Sequence, residues 1–117
     1  MTEPLVVPDL KEVVAHPERL AWKPLRPGIE IHRLYEGGPD GAAAAFLRYQ
    51  PGARLARHRH VGLEHILVLA GSQEDERGRY PAGSLVVNPP GTAHNVSSAE
   101  GCIVLALWER PVRFEPA

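Results

Sequence analysis

The chain has 117 residues, a length that suits one hydrophobic core and no second module. Its 13 Lys and Arg nearly balance its 14 Asp and Glu, and no long run of either sign would attract nucleic acid or lipid headgroups. Apolar stretches such as 66–70 are too short to cross a bilayer, and the first residues lack the features of a signal peptide. We therefore expect a cytoplasmic protein with no nucleic-acid partner and no membrane partner.

Twelve prolines and eleven glycines are scattered through the chain and divide it into short segments. This pattern is typical of an all-β domain with many turns. The one helix that we expect is short, because Asp9 can cap it and the pair His16-Pro17 would end it. Strand-like runs separated by turn residues then predict a barrel or a sandwich. These runs cover 29–35, 43–50, 55–60, 64–70, 84–88 and 103–108, with shorter pieces near 79–80 and 94–97.

The segment 37–50 combines a turn with a strand. Residues 37–41, Gly-Gly-Pro-Asp-Gly, have the composition of a hairpin turn. The alanines at 42–45 favour a helix by intrinsic propensity, but so short a run between that turn and the apolar 46–49 fits a strand better. We therefore predict a β-hairpin here.

The single cysteine, Cys102, excludes an internal disulfide and the paired cysteines of structural zinc sites. It stands at the start of an apolar run, 103–105, which predicts a buried thiol that packs as a small hydrophobic group. A redox role for Cys102 is the alternative.

Three histidines and one glutamate have a spacing that could bring their side chains together. Side chains two apart on a strand share a face, so His58 and His60 should point the same way. Glu64 follows a short segment with a glycine, which would return its carboxylate to the same space within one hairpin. His94 follows the tight turn that the sequence Asn-Pro-Pro-Gly at 88–91 enforces. We predict that these four side chains hold one metal ion.

The donor set limits which metal could bind. Three imidazoles and a carboxylate, with no thiolate, suit one divalent transition metal ion such as Fe, Mn, Co, Ni, Cu or Zn, and disfavour calcium. An octahedral ion would keep positions open for a small molecule, whereas a tetrahedral zinc could be closed. The ligand set alone does not choose between catalysis and structure. Histidines on strands are also often plain polar residues, and it is the combination of all four that favours a metal site.

The same residues resemble the two sequence motifs of the cupin superfamily. The first motif, G-x5-H-x-H-x3-E-x6-G, is kept at Gly52, His58, His60, Glu64 and Gly71. The second, G-x5-P-x-G-x2-H-x3-N, is kept at Gly83, Pro89, Gly91 and His94, but Ser98 stands in place of the asparagine. The resemblance implies a single-domain, all-β, double-stranded β-helix or jelly-roll barrel with the metal inside. On this basis we expect an N-terminal extension at 1–28 that packs on a cupin barrel at 29–115.

Within the superfamily, the sequence from 58 to 102 looks similar to the cupin domain of ChrR-type anti-sigma factors. In those proteins a separate N-terminal helical domain holds zinc and grips the sigma factor. We expect this chain to lack that domain, so that the resemblance to these proteins is limited to the metal-binding barrel.

Two classes of function follow. The first is a stand-alone, metal-dependent sensing or binding module, which the ChrR-type resemblance favours. The alternative is a metal-dependent enzyme, such as an Fe(II)-type dioxygenase that acts on a small diketone, thiol or carboxylate. In the enzyme Arg48, Tyr49 and Gln50 would be the candidates to orient a substrate, although each is more simply a strand or rim residue. A third option is a structural metal ion that only stabilises the fold.

Several other residues receive simpler roles. Cupin barrels commonly pair, so we expect a homodimer, with the strand-like segment 5–7 covering a partner's edge. His65 should point away from Glu64 towards the surface or a dimer contact, and His16 has no evident role. Aliphatic side chains should pack inside the barrel, namely Ile66, Val68, Val87 and Val96.

Overall fold

Short strands make up most of the chain, as the scattered glycines and prolines predict. A computed structural model describes residues 2–116. One helix, α1, spans Leu10–Ala15, and a 3-10 turn spans Pro17–Arg19. No helix within residues 2–116 has the length and apolar character needed to cross a membrane. The strands are β1 (Lys23–Arg26), β2 (Ile29–Glu36), β3 (Ala43–Tyr49), β4 (Ala53–Arg59), β5 (Glu64–Asp75), β6 (Gly78–Pro81), β7 (Leu85–Asn88), β8 (Ala93–Ser98), β9 (Cys102–Trp108) and β10 (Arg113–Phe114).

The strands form two antiparallel sheets that share the long strand β5. The first sheet has the order β1-β2-β3-β9-β5-β7, and the second has the order β6-β5-β8-β4-β10. The first half of β5 pairs with β7 and β9, and its second half pairs with β6 and β8. The predicted all-β jelly-roll barrel is therefore confirmed. The hairpin predicted at 37–50 is confirmed as well, because β2 and β3 pair on either side of the glycine-rich turn.

The main core lies between the inner faces of the two sheets. Burying these apolar side chains is the largest favourable contribution to folding. Alternate residues along each strand supply the core, as the pleat of a strand requires. Its members include Ile29, Ile31, Leu47, Leu55, Ile66, Val68, Val96 and Val104.

A second cluster of buried residues lies on the outer face of the first sheet, beneath α1. Val13 of α1 packs there against Phe46 and Ile103. The helix begins where predicted, because the Asp9 carboxylate accepts a hydrogen bond from the backbone N–H of Lys11 at 2.9 Å. It ends before His16, as the following proline requires.

The N-terminal part of the chain differs from expectation in two respects. Residues 23–26 form β1 and extend the first sheet, so the predicted extension at 1–28 contributes a strand as well as packing on the barrel. The strand expected at 5–7 is not formed, and Leu5 and Val6 lie 53% and 72% exposed. The boundary between an extension at 1–28 and a barrel at 29–115 stays a prediction.

One of the four residues predicted inside the barrel lies outside it. Val87 is 48% exposed, whereas Ile66, Val68 and Val96 are buried. The register explains the difference, because Ile66 lies opposite Val86 and residues opposite each other on paired strands share a face. Val87 therefore points outwards, on the same side as His65.

Candidate metal centre

Four buried side chains meet at one point inside the barrel. His58, His60, Glu64 and His94 each offer one donor atom, and these atoms all lie within 4.8 Å of one another. They come from the end of β4, the start of β5 and the start of β8, and His58 lies directly opposite His94 across the β4–β8 pair. The structure thus brings together all four residues that the sequence predicts.

A β-bulge aims His58 inwards. The pairing of β4 with β8 runs from Leu55 opposite Val96 to His58 opposite His94, so three steps on β4 match two on β8. The extra residue lets Leu55 and His58 face the same interior, which a regular alternation would forbid. Without the bulge, the strand could not bury both the core side chain of Leu55 and the imidazole of His58.

The segment between His60 and Glu64 crosses from one sheet to the other. Strand β4 pairs with β8 and β10, and β5 pairs with β6, β7, β8 and β9, so the two consecutive strands are not partners. The prediction that three ligands arise from one hairpin is therefore wrong, although the same residues converge. Gly62 is needed here because a Cβ at this position would lie 2.9 Å from Glu109 Oε1 and 3.1 Å from the Arg110 backbone nitrogen.

Each imidazole is oriented by a hydrogen bond from its Nδ1. His58 Nδ1 donates to the Ala56 carbonyl at 2.9 Å, so the bulge also fixes this ring. His94 Nδ1 donates to Asp75 Oδ2 at 3.0 Å. His60 Nδ1 donates to the hydroxyl of Thr92 at 2.9 Å, and that hydroxyl in turn donates to the Pro89 carbonyl. Because the proton of each neutral ring sits on Nδ1, all three Nε2 lone pairs point into the centre.

The converging donor atoms fit a metal ion. His58 Nε2 lies 3.0 Å from His94 Nε2, and His60 Nε2 lies 3.1 Å from Glu64 Oε1. His60 Nε2 is fully buried and has no hydrogen-bond partner among the described residues, which is costly for a polar atom. A cation shared by these lone pairs would satisfy all of them at once. Residues His58, His60, Glu64 and His94 therefore could hold a divalent transition metal.

The carboxylate of Glu64 is held in place on both oxygens. Its Oε2 accepts from Trp108 Nε1 at 2.6 Å, and its Oε1 accepts from the Asn88 amide at 3.0 Å. Burial raises the pKa of Glu64, but the close contact with the His60 imidazole, the nearby His58 and the Trp108 hydrogen bond together outweigh burial and bring the pKa below its usual value. Burial also lowers the pKa of His58. Both groups are thus held in the deprotonated form that binds a metal.

A ring of residues that the sequence analysis missed supports the ligands. Asp75 Oδ1 accepts from the Tyr80 hydroxyl at 2.8 Å, while its Oδ2 faces His94. Burial alone would raise the pKa of Asp75, but the hydrogen bonds from His94 and Tyr80 lower it by more. The pKa therefore lies below its usual value, and Asp75 is ionised. Arg77 reaches the Asn88 amide oxygen at 3.3 Å. The strand predicted from the sequence ended at position 70, and Asp75 would have been found only by extending that strand by five residues.

The comparison with known proteins decides the family. Residues 10–110 match the family described as the ChrR Cupin-like domain. The anti-sigma-E factor ChrR of Cereibacter sphaeroides is 34% identical over 99 residues, which is 83% of this chain and 46% of that protein. The chain belongs to the ChrR cupin-like family. It spans about half the length of this curated relative.

Solved structures agree with the family and with the fold. ChrR in the crystal structure of the Rhodobacter sphaeroides SigE–ChrR complex is 31% identical, has a TM-score of 0.72, and is matched over 84% of this chain and 54% of that one. An acetylacetone dioxygenase from Acinetobacter johnsonii has a TM-score of 0.79 at 16% identity, over 99% of this chain and 80% of that one. At that identity the second likeness shows the cupin fold alone.

The departure from the second cupin motif lies outside the four clustered residues of this ChrR cupin-like barrel. Ser98 is fully buried at the end of β8, and its hydroxyl donates to the Ser72 carbonyl on β5. Ser98 therefore ties β8 to β5 in the second sheet.

The glycine at the end of the first motif, Gly71, has a φ of 70°, and a Cβ there would overlap the Gly101 carbonyl.

A mainly apolar cavity of about 340 Å³ lies beside the four ligands. His58, Glu64 and His94 form part of its wall. Of the three residues predicted to orient a substrate, only Tyr49 lines it. Arg48 faces the outer side of β3, where it pairs with Glu30 at 2.7 Å, and Gln50 lies exposed after β3 ends. The expectation for Arg48 and Gln50 is therefore wrong, because alternation along β3 turns only Tyr49 inwards.

The remaining predicted residues lie away from the centre. Cys102 is buried at the start of β9, as predicted, and burial raises the pKa of its thiol to about 11. His65 is half-buried on the outer face of the first sheet, opposite Val87 and Leu107. His16 lies near Glu18 at 3.3 Å in the N-terminal segment.

Proposed function

We propose that this ChrR cupin-like chain is a metal-dependent binding or sensing module. In this proposal His58, His60, Glu64 and His94 hold one divalent transition metal ion, and a small molecule reaches it through the adjacent cavity. The convergence of three Nε2 atoms and one carboxylate oxygen, each oriented by a hydrogen bond on its far side, is the observation that carries the proposal.

The residues of the site would have two roles, to donate to the metal and to orient the donors. The three imidazoles and Glu64 would supply the donor atoms, and Asp75, Thr92, Asn88 and Trp108 would keep these donors oriented. When bound, such an ion would supply a Lewis-acidic centre for a small molecule, provided that it is of a kind that takes more than four ligands. The apolar walls of the cavity would exclude bulk water from a small molecule seated there.

Metal loading tests this proposal directly. The full chain is stripped with a chelator and dialysed separately against Zn(II), Mn(II), Fe(II), Co(II), Ni(II) and Cu(II), and the bound metal is counted by elemental analysis. We expect about one equivalent of at least one of these ions and a higher melting temperature of the loaded chain, because a ligand that binds only the folded state stabilises it. A chain that takes up none of them would contradict the proposal.

An enzyme of the Fe(II)-type dioxygenase class, acting on a small diketone, thiol or carboxylate, is the second candidate. The cavity beside the ligands favours it, since a substrate could sit against the metal there. The family match favours the binding module instead. Dioxygen uptake by the iron-loaded chain with a panel of these substrates distinguishes the two, because a pure binding module consumes none.

We also propose a homodimer and a cytoplasmic location. Leu85 and Val87 on β7 and Leu107 on β9 are 62%, 48% and 39% exposed on the outer face of the two strands that flank β5, and covering them against a second copy would be favourable. A lone free thiol suits a reducing compartment. Sedimentation equilibrium tests the dimer, and a monomer at micromolar concentration would contradict it.

A further inference from the structure

The wall of the cavity beside the metal centre is mainly aliphatic. Tyr49 and Gln73 are polar residues that line it, and both are buried. Burial raises the pKa of the Tyr49 phenol, so this group is neutral. The aliphatic side chains come from both sheets, namely Leu25, Ile31, Leu47, Leu55, Ile66 and Val96.

Charge is scarce along the cavity. Apart from the metal ligands, Arg33 and Glu36 are the charged side chains that line it among residues 2–116. They form an ion pair of 3.2 Å and are 46% and 58% exposed, which places them at the rim. A ligand with a second charged group would therefore find no free buried partner for it, and burying an unpaired charge is costly.

The volume limits the size of the ligand. If each methylene or oxygen occupies about 30 Å³, as a water molecule does, a cavity of about 340 Å³ holds roughly ten non-hydrogen atoms. Octanoate has about that size.

We propose that the cavity binds a small monoanion with an apolar body, whose single acidic oxygen head group lies at the metal and whose aliphatic body lies along the leucine, isoleucine and valine side chains. This inference rests on the proposed function, because the metal supplies the positive charge that the cavity walls lack. A dianion, a sugar acid or a phosphate ester does not fit this combination of walls and charge.

Calorimetric titration of the Ni(II)-loaded full chain with acetate, butanoate, hexanoate, octanoate and decanoate tests the inference, because an octahedral ion keeps positions open where four-coordinate zinc could be closed. Each added methylene should tighten binding about fourfold, until the cavity is full near octanoate. Hexanedioate should bind at least tenfold more weakly than hexanoate, because its second carboxylate would lie among the aliphatic walls, short of the rim, with no partner. The metal-free chain should bind octanoate at least tenfold more weakly than the loaded chain.

A matched pair of variants locates the binding. Ala43 lines the cavity, whereas its neighbour Ala42 is exposed and does not. Ala43→Leu should reduce the chain length at which affinity levels off by several methylenes, and Ala42→Leu should leave the series unchanged. Circular dichroism checks that both variants fold.

The outcomes separate the inference from the proposed function. If the chain takes up no metal, both fail. If the chain binds metal but its affinity for the monocarboxylates does not depend on their chain length, or if hexanedioate binds as tightly as hexanoate, only the inference is overturned. Equal binding of octanoate with and without metal also overturns the inference.

Discussion

The carboxylate of Asp75 lies 3.0 Å from Nδ1 of His94, and both side chains are almost fully buried. Asp75 is eleven positions beyond Glu64 along β5, at the far end of the same strand. One strand therefore supplies a proposed metal ligand, Glu64, at its start and the residue that orients another proposed ligand, His94, at its end. Such a carboxylate fixes the imidazole tautomer and raises the basicity of the metal-facing nitrogen.

Replacing this carboxylate should weaken metal binding without unfolding the chain. We expect Asp75→Asn to reduce metal affinity about 10- to 100-fold, the usual cost of losing a partner that orients a ligand. Competition with a chromophoric chelator measures the change. Asp40→Asn, in the exposed turn between β2 and β3, is the control and should bind like the unmodified chain. Equal affinity in the two variants would contradict the role of Asp75.

His60 and His65 give a direct contrast between a ligand and a bystander. His60 is buried with its Nε2 pointing into the centre, whereas His65 lies on the outer face of the first sheet. We expect His60→Ala to lose most of the bound metal, because a donor is removed. His65→Ala should keep about one equivalent. Elemental analysis of both purified variants measures this, and metal retained by His60→Ala would exclude His60 as a ligand.

Trp108 should report metal binding through its fluorescence. Its indole N–H donates to Glu64 Oε2 at 2.6 Å, so a bound paramagnetic ion would lie close to the ring. Trp22 donates instead to the Pro17 carbonyl, beneath the N-terminal segment. We expect Cu(II) or Co(II) to quench the emission of Trp22→Phe strongly and that of Trp108→Phe much less. The opposite order would place the ion elsewhere.

Cys102 should resist alkylation in the folded protein. Burial raises its pKa from 9.0 to about 11, so the thiolate is scarce at neutral pH. Because the folded state retains the thiol proton while the unfolded state loses it, this group makes the folded state less stable as the pH rises from about 9 to about 11. We expect iodoacetamide to modify the native chain at pH 8 at least tenfold more slowly than the urea-unfolded chain. Equal rates would show that the thiol is exposed.

The sequence was sufficient to predict the identity of the four candidate ligands, because motif spacing and strand alternation act over short distances. It was also sufficient for the hairpin at 37–50, where the turn residues outweigh the helix propensity of the alanines. The motif spacing also identified glycines that lie against another part of the backbone, such as Gly71 against the Gly101 carbonyl.

The features that depend on pairing between distant strands were not predictable. The bulge between Leu55 and His58 is a property of the register of β4 against β8. The outward position of Val87 follows from its pairing with β5, and the exclusion of Arg48 from the cavity follows from the face that β3 presents. Asp75 was missed because β5 continues through Gly71 into the second sheet, where a single-sheet strand would have ended.

Anomalous scattering from a crystal of the metal-loaded chain tests the central claim most directly. Data collected on both sides of the absorption edge of the loaded metal identify the element and its position. We expect one strong peak within about 2.0–2.2 Å of Nε2 of His58, His60 and His94 and of a Glu64 oxygen. A peak elsewhere in the chain, with these four donors bound only to one another or to water, would contradict the account.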